Sequence, residues 1–201
     1  MTPKPTETGP SAIPATPSAL PPTLAPTPSR SPSLAATPTP RFCLAWPAQI
    51  SAILARLPVP EGLCFLRIGS TLTSYYDARV STVYLGAGSP VGGELAALAH
   101  EVCHAHQHRV IVNGGLTVTS NLDSWYQTAE GKDFVMVTGW RLVDGKWIEN
   151  CERWSCGYPN PLEDAAEFCA NWYGKLYGGG SDVQQYAPLR YAWAIRSFPA
   201  P

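Results

Sequence analysis

The sequence predicts an α+β domain behind a tail that has no means of forming a core. Three observations carry this expectation. Strand-like runs alternate irregularly with strong helical runs, which argues against a doubly wound parallel sheet. Of the 21 prolines, twelve fall within residues 1–40. All seven tryptophans and all six cysteines lie beyond residue 40.

Residues 1–40 contain no Cys, Trp, Tyr or Phe. Too little apolar area is present there to offset chain entropy. Runs such as Ala25-Pro26-Thr27-Pro28 and Thr37-Pro38-Thr39-Pro40 favour extended polyproline II. The tail is therefore expected to be a disordered Pro/Thr/Ser-rich linker or stalk, with a composition that also suits O-glycosylation. Residues 41–201 are enough for one core. The 201 residues carry 14 Lys+Arg against 15 Asp+Glu, a formal net charge of −1. That balance lacks the clustered positive field that nucleic-acid binding needs. No uninterrupted apolar window is long enough to cross a membrane. No charged segment followed by an apolar run marks a signal peptide after Met1.

The elements follow in order. Pro47 suits a first helical turn, and Ile50, Ile53, Leu54 and Leu57 follow at helical spacing until Pro58 and Pro60 stop it. Residues 62–68 and the β-branched run 80–85 read as strands, with a turn over 86–93. Residues 94–108 form a strong helix with Leu95, Leu98 and Val102 as its apolar stripe. Residues 134–137 look like a strand. Residues 140–143 and 146–148 flank Asp144-Gly145, a strong hairpin signal. A helix is expected over 162–177, ended by Gly178-Gly179-Gly180, and another over 188–197.

An even number of cysteines behind a Pro/Thr stalk suggests an oxidising compartment, hence a secreted or surface-tethered protein. Proximity in the chain suggests Cys43–Cys64 and Cys151–Cys156. Cys103 and Cys169 lie beside candidate ligands on two helices, so a Cys103–Cys169 bond would pin those helices together.

The chemistry centres on His100-Glu101-Val102-Cys103-His104, an H-E-x-x-H pattern on a predicted helix. Residues i and i+4 share a helix face, so two imidazoles can grip one zinc ion. Glu101, rotated about 100° from His100, can serve as general base toward a metal-activated water. A catalytic zinc needs a third protein ligand and an open position. The extended metzincin pattern fails, because position 107 is Gln and 110 is Val. His106 faces away from the pair, and His108 is carried too far around the helix. Downstream, Asn160-Pro161 opens a helix bearing Glu163 and Glu167 on one face. One of them can ligate zinc while the other orients a histidine. Ala166 and Ala170 would let the two helices approach closely.

His100-Glu101-x-x-His104 followed by Glu163-Asp164-x-Ala166-Glu167 resembles gluzincin-type zincin metallopeptidases. It looks most like small bacterial proteins akin to anthrax lethal factor and the pro-pro endopeptidases. The resemblance covers the two helices and their order. It implies a zincin-like fold with a small mixed sheet and one zinc held by His100, His104 and Glu163. Glu167 and Asp164 would support these ligands from behind. Position 156, where the resemblance would put a transition-state tyrosine, is Cys; Tyr158 is the nearest tyrosine and takes that expectation. The strand over 80–85 sits where zincins place the sheet edge that a peptide substrate pairs with. Trp125, Trp140, Trp147, Trp154 and Trp172 are candidates to line the cleft. The expected protein is a monomeric, zinc-dependent peptidase acting on peptide or protein substrates. Its rival is a non-catalytic, zinc-stabilised, disulfide-bonded interaction module, which would have no use for Glu101.

Overall fold

The computed structural model describes residues 42–69, 73–88, 93–152, 157–174 and 181–199. Its contacts cluster into two units, Met1–Pro40 and Arg41–Pro201; the first, with the expected stalk, lies outside the described residues. Among its described residues, the second unit is a mixed α+β arrangement of six α-helices, a three-stranded sheet and a two-stranded hairpin.

Helix α1 (Ala48–Leu54) begins directly after Pro47, whose fixed φ of −54° suits a helix start. It buries Ile50 and Ile53, and Leu57 follows them into the core. The Cys43–Cys64 disulfide ties the approach to α1 onto strand β1 (Cys64–Arg67). Strand β3 (Thr82–Leu85) pairs in parallel with β1. Strand β2 (Tyr75–Asp77), which the sequence reading missed, pairs antiparallel with β3. The sheet order is β1-β3-β2. The run over 80–85 is therefore the interior strand, not the expected edge. It also starts later than its composition suggests. Ser81 sits at φ 46°, and Asp77 Oδ1 accepts from the Arg79 backbone N–H at 3.0 Å. These features make 78–81 a turn.

Helix α2 (Gly93–Asn113) runs further than its apolar stripe indicates, because Ile111 is also buried. Gly114 and Gly115 follow its end, with Gly115 at φ 68°. The expected strand over 134–137 is instead part of helix α3 (Ala129–Thr138). The deciding residues lie outside the apolar run. The Thr128 hydroxyl caps the helix by accepting from the Gly131 N–H at 3.0 Å. Gly139, at φ 78°, ends it. Gly131 is required for a further reason: a Cβ there would meet the Trp125 carbonyl.

Strands β4 (Arg141–Val143) and β5 (Lys146–Ile148) form the expected hairpin. Asp144 and Gly145 both have positive φ, as a tight type I′ turn demands. Helix α4 (Pro161–Gly174) starts where Asn160-Pro161 predicts, and Asn160 Oδ1 accepts from the Glu163 N–H at 3.0 Å. The expected glycine stop at 178–180 lies outside the described residues. Helix α5 (Ser181–Tyr186) was not foreseen, whereas α6 (Pro188–Ser197) matches its predicted span.

The core gathers Trp125, Phe134, Phe168 and Trp193 with α2 and α4 at its centre. Ala165, Ala166 and Ala170 on α4 are fully buried, and their size permits close helix approach. The Cys103–Cys169 disulfide joins the two helices at a Cα separation of 6.0 Å. No described cysteine is free; Cys156, the expected partner of Cys151, lies outside the described residues. No described helix is long and apolar enough to cross a membrane.

Candidate metal centre

Helices α2 and α4 bring His100, His104 and Glu163 together, as the spacing of both motifs predicts. Each offers one donor atom to a common point. His100 Nε2 and His104 Nε2 lie 3.0 Å apart. Glu163 Oε2 lies 3.2 Å from the first and 3.3 Å from the second. A tetrahedral zinc with donors at about 2.0–2.1 Å spaces them by about 3.3–3.4 Å. The donor set, two imidazole nitrogens and a carboxylate oxygen, therefore fits zinc in chemistry and in spacing. Cys103 is held in its disulfide and is no thiolate ligand.

The supporting contacts differ between the two histidines. His100 Nδ1 meets Glu167 Oε2 at 3.0 Å, which is the role expected of Glu167. His104 Nδ1 meets Gln107 Oε1 at 2.7 Å, and Gln107 Nε2 donates to the Leu162 carbonyl at 2.9 Å. In the sequence, Gln107 stands out only as the residue that breaks a longer zinc motif. Its place one turn beyond His104 on the same face was the available signal.

Asp164 corrects its expectation. Its carboxylate accepts from Arg190 Nε at 2.8 Å and from Trp140 Nε1 at 2.8 Å, rather than supporting either histidine. Arg190 also reaches Glu152 at 2.7 Å, so this network fastens α4 to α6. Tyr158 is corrected too. It is half-buried against the core and lines neither cavity beside the donors. Tyr75 and Tyr76 of β2 line one of them instead.

Two cavities, of about 200 and about 300 Å³, meet the donor set, and Ser74, Glu101 and Glu163 line both. No described tryptophan lines either. Trp125 and Trp140 are core, and Trp147 faces a separate cavity with Tyr126. Trp154 lies outside the described residues.

Glu101 is buried at the inner edge of this cleft. Burial raises its carboxyl pKa, against the pull of His104 and His100 and a hydrogen bond from the Tyr76 backbone. Burial acts to lower the His100 pKa, but hydrogen bonds to Glu163 and Glu167 outweigh it and push the imidazole up to about 10. Burial likewise works to raise Glu163, yet the two histidines hold its carboxyl well below the usual range.

The other two histidines serve elsewhere. His106 is sandwiched between the Pro58 carbonyl and Glu130, and His108 Nδ1 meets the Tyr76 hydroxyl at 2.6 Å. Neither reaches the donor set, in accord with the helix geometry. No family model matches the sequence, and no curated protein or solved structure matches it.

Proposed function

We propose that the chain is a zinc-dependent peptidase with a zincin-like domain, acting as a secreted or surface-tethered monomer. One observation supports this above all: three donor atoms from two helices converge within 3.0–3.3 Å beside the carboxylate of Glu101. His100, His104 and Glu163 would hold the zinc. When bound, zinc supplies a Lewis acid that polarises a carbonyl and lowers the pKa of water. Glu101 accepts a proton at its carboxylate and returns it to the leaving amine; its raised pKa suits both halves of that task. The edge strand β2 borders the cleft through Tyr75 and Tyr76. An extended peptide would lie along it and place its scissile carbonyl near Glu101. The disulfides Cys43–Cys64 and Cys103–Cys169 suit an oxidising compartment.

A zinc-stabilised interaction module would share the donors but gives Glu101 no role. Metal analysis and peptide-library cleavage of the native chain and Glu101→Gln separate the two. The expected result is one zinc per chain in both proteins, with cleavage reduced at least ~10²-fold in the variant. Equal cleavage by both, or no cleavage by the native chain, overturns the peptidase reading.

A further inference from the structure

Two histidines in one donor set need not be supported alike, and here they are not. His100 leans on the carboxylate Glu167, an acceptor whatever its rotation. His104 leans on Gln107, an amide with one accepting and one donating end. Which end faces His104 decides which of its nitrogens carries the proton.

The backbone settles that choice. Gln107 is 2% exposed, so both ends must find protein partners. One end faces the Leu162 carbonyl at 2.9 Å. A carbonyl only accepts, so the NH2 group must be the end that meets it. The oxygen is thereby left facing His104 Nδ1 at 2.7 Å. An oxygen only accepts, so Nδ1 must carry the hydrogen. In a neutral imidazole the other nitrogen then holds a lone pair. That nitrogen is Nε2, the atom directed at His100 and Glu163.

The neighbouring contact is compatible with this assignment. His104 Nε2 and His100 Nε2 lie 3.0 Å apart, too close for two facing lone pairs. With His104 accepting, His100 Nε2 is the donor.

We infer that Gln107 is a positioning residue that locks His104 in its Nδ1–H tautomer and ties that tautomer to the start of the Glu163 helix. This deepens the zinc-peptidase reading, on whose ligand set it rests. The chain Leu162 carbonyl, Gln107 amide, His104 ring joins α2 to α4 one residue before Glu163. It keeps a metal-competent lone pair aimed at the donor set before any ion arrives. It also separates charge: the anionic Glu167 supports His100, and a neutral amide supports His104. A second carboxylate at 107 would add negative charge to a site already lined by Glu101, Glu163 and Glu167.

The test uses the full chain. In zinc-free protein, long-range ¹H–¹⁵N spectra of the side chains should show the neutral His104 ring with its hydrogen on Nδ1 rather than Nε2. Gln107→Leu keeps the approximate volume and removes both hydrogen bonds. It should mix the His104 tautomers and weaken zinc binding by ~10–100-fold, the scale for an outer partner of a ligating histidine. Gln107→Glu restores an oxygen facing His104 but offers the Leu162 carbonyl no donor, so it should recover the Nδ1–H signal without recovering the tie to α4. A neutral His104 that carries its hydrogen on Nε2 in the native chain overturns the inference. So does a Gln107→Leu protein that melts lower yet binds zinc within twofold of native, since that describes a structural residue only. A native chain that binds no zinc defeats the peptidase reading instead, and the spectra still judge the tautomer.

Discussion

The Asp164 carboxylate meets the Arg190 guanidinium in the dry interior, with the two side chains 1% and 0% exposed. Arg190 Nε stands 2.8 Å from Asp164 Oδ1, next in the chain to a proposed zinc ligand. Desolvating such a pair is costly, and removing one partner leaves the other charge stranded. Arg190→Leu should therefore destabilise the fold by about 3–5 kcal/mol. Asp164→Asn with Arg190→Leu should recover part of that loss. Urea denaturation checks both. A single-variant loss below about 1 kcal/mol would show that solvent reaches Asp164.

Zinc content should follow the donor atoms. His100→Ala and Glu163→Ala should each leave the purified chain largely without zinc, as measured by elemental analysis after dialysis. Asp164→Asn should retain it, because the Asp164 carboxylate is engaged by Arg190 and Trp140. Full occupancy in Glu163→Ala would transfer the third position to another residue.

The Cys103–Cys169 bond spans a sequence separation of 66, for which loop-closure entropy gives about 4 kcal/mol. Cys103→Ala with Cys169→Ala should lower the melting temperature clearly and weaken zinc binding, since the bond also holds His104 and Glu163 within reach. Calorimetry with zinc titration reads both. Unchanged zinc affinity would mean that packing alone aligns the helices.

Alkaline pH should lower the stability of the fold through half-buried phenols. Burial pushes the Tyr76 hydroxyl up to about 12, with Ser81 opposing and Asp77 reinforcing the shift. Burial does the same to Tyr173, against the pull of Arg56. Their ordinary pKa is about 10. A folded value above the unfolded one means that the stability contribution is complete below pH ~10 and is lost as pH rises towards ~12. Tyr76→Phe should flatten that decline, followed by melting temperature between pH 9 and 12 (roughly the window set by these values). An identical decline in the variant would assign the loss elsewhere.

Much of the site is local in origin, and so it was legible. His100 and His104 are one turn apart on one helix, and Asn160-Pro161 sets the start of the helix that carries Glu163 and Glu167. Asp144-Gly145 specified its hairpin, and α6 needed only its proline and its apolar spacing. What escaped depends on partners distant in the chain. Strand β2 has only Tyr75–Asp77 and exists because β3 pairs with it. The run 134–137 has strand-like composition, but Thr128 and Gly139 impose a helix. Asp164 resembled a supporter of the zinc ligands because nothing nearby in the chain announces Arg190. Tyr158 stood closest in sequence to an expected tyrosine, whereas Tyr76, far earlier, lines the cleft.

The bond between Cys103 and Cys169 has a topological consequence as well. It closes a covalent ring that contains α3, the β4–β5 hairpin and the approach to α4, with His100 just outside one junction and Glu163 inside the other. A single proteolytic cut anywhere in the ring would open it without separating the two donor-bearing helices. Cleavage in the loop between α2 and α3 would thus yield a nicked, two-piece chain that still migrates as one species until reductant is added. A cut at such a loop need not part the residues proposed to hold the metal.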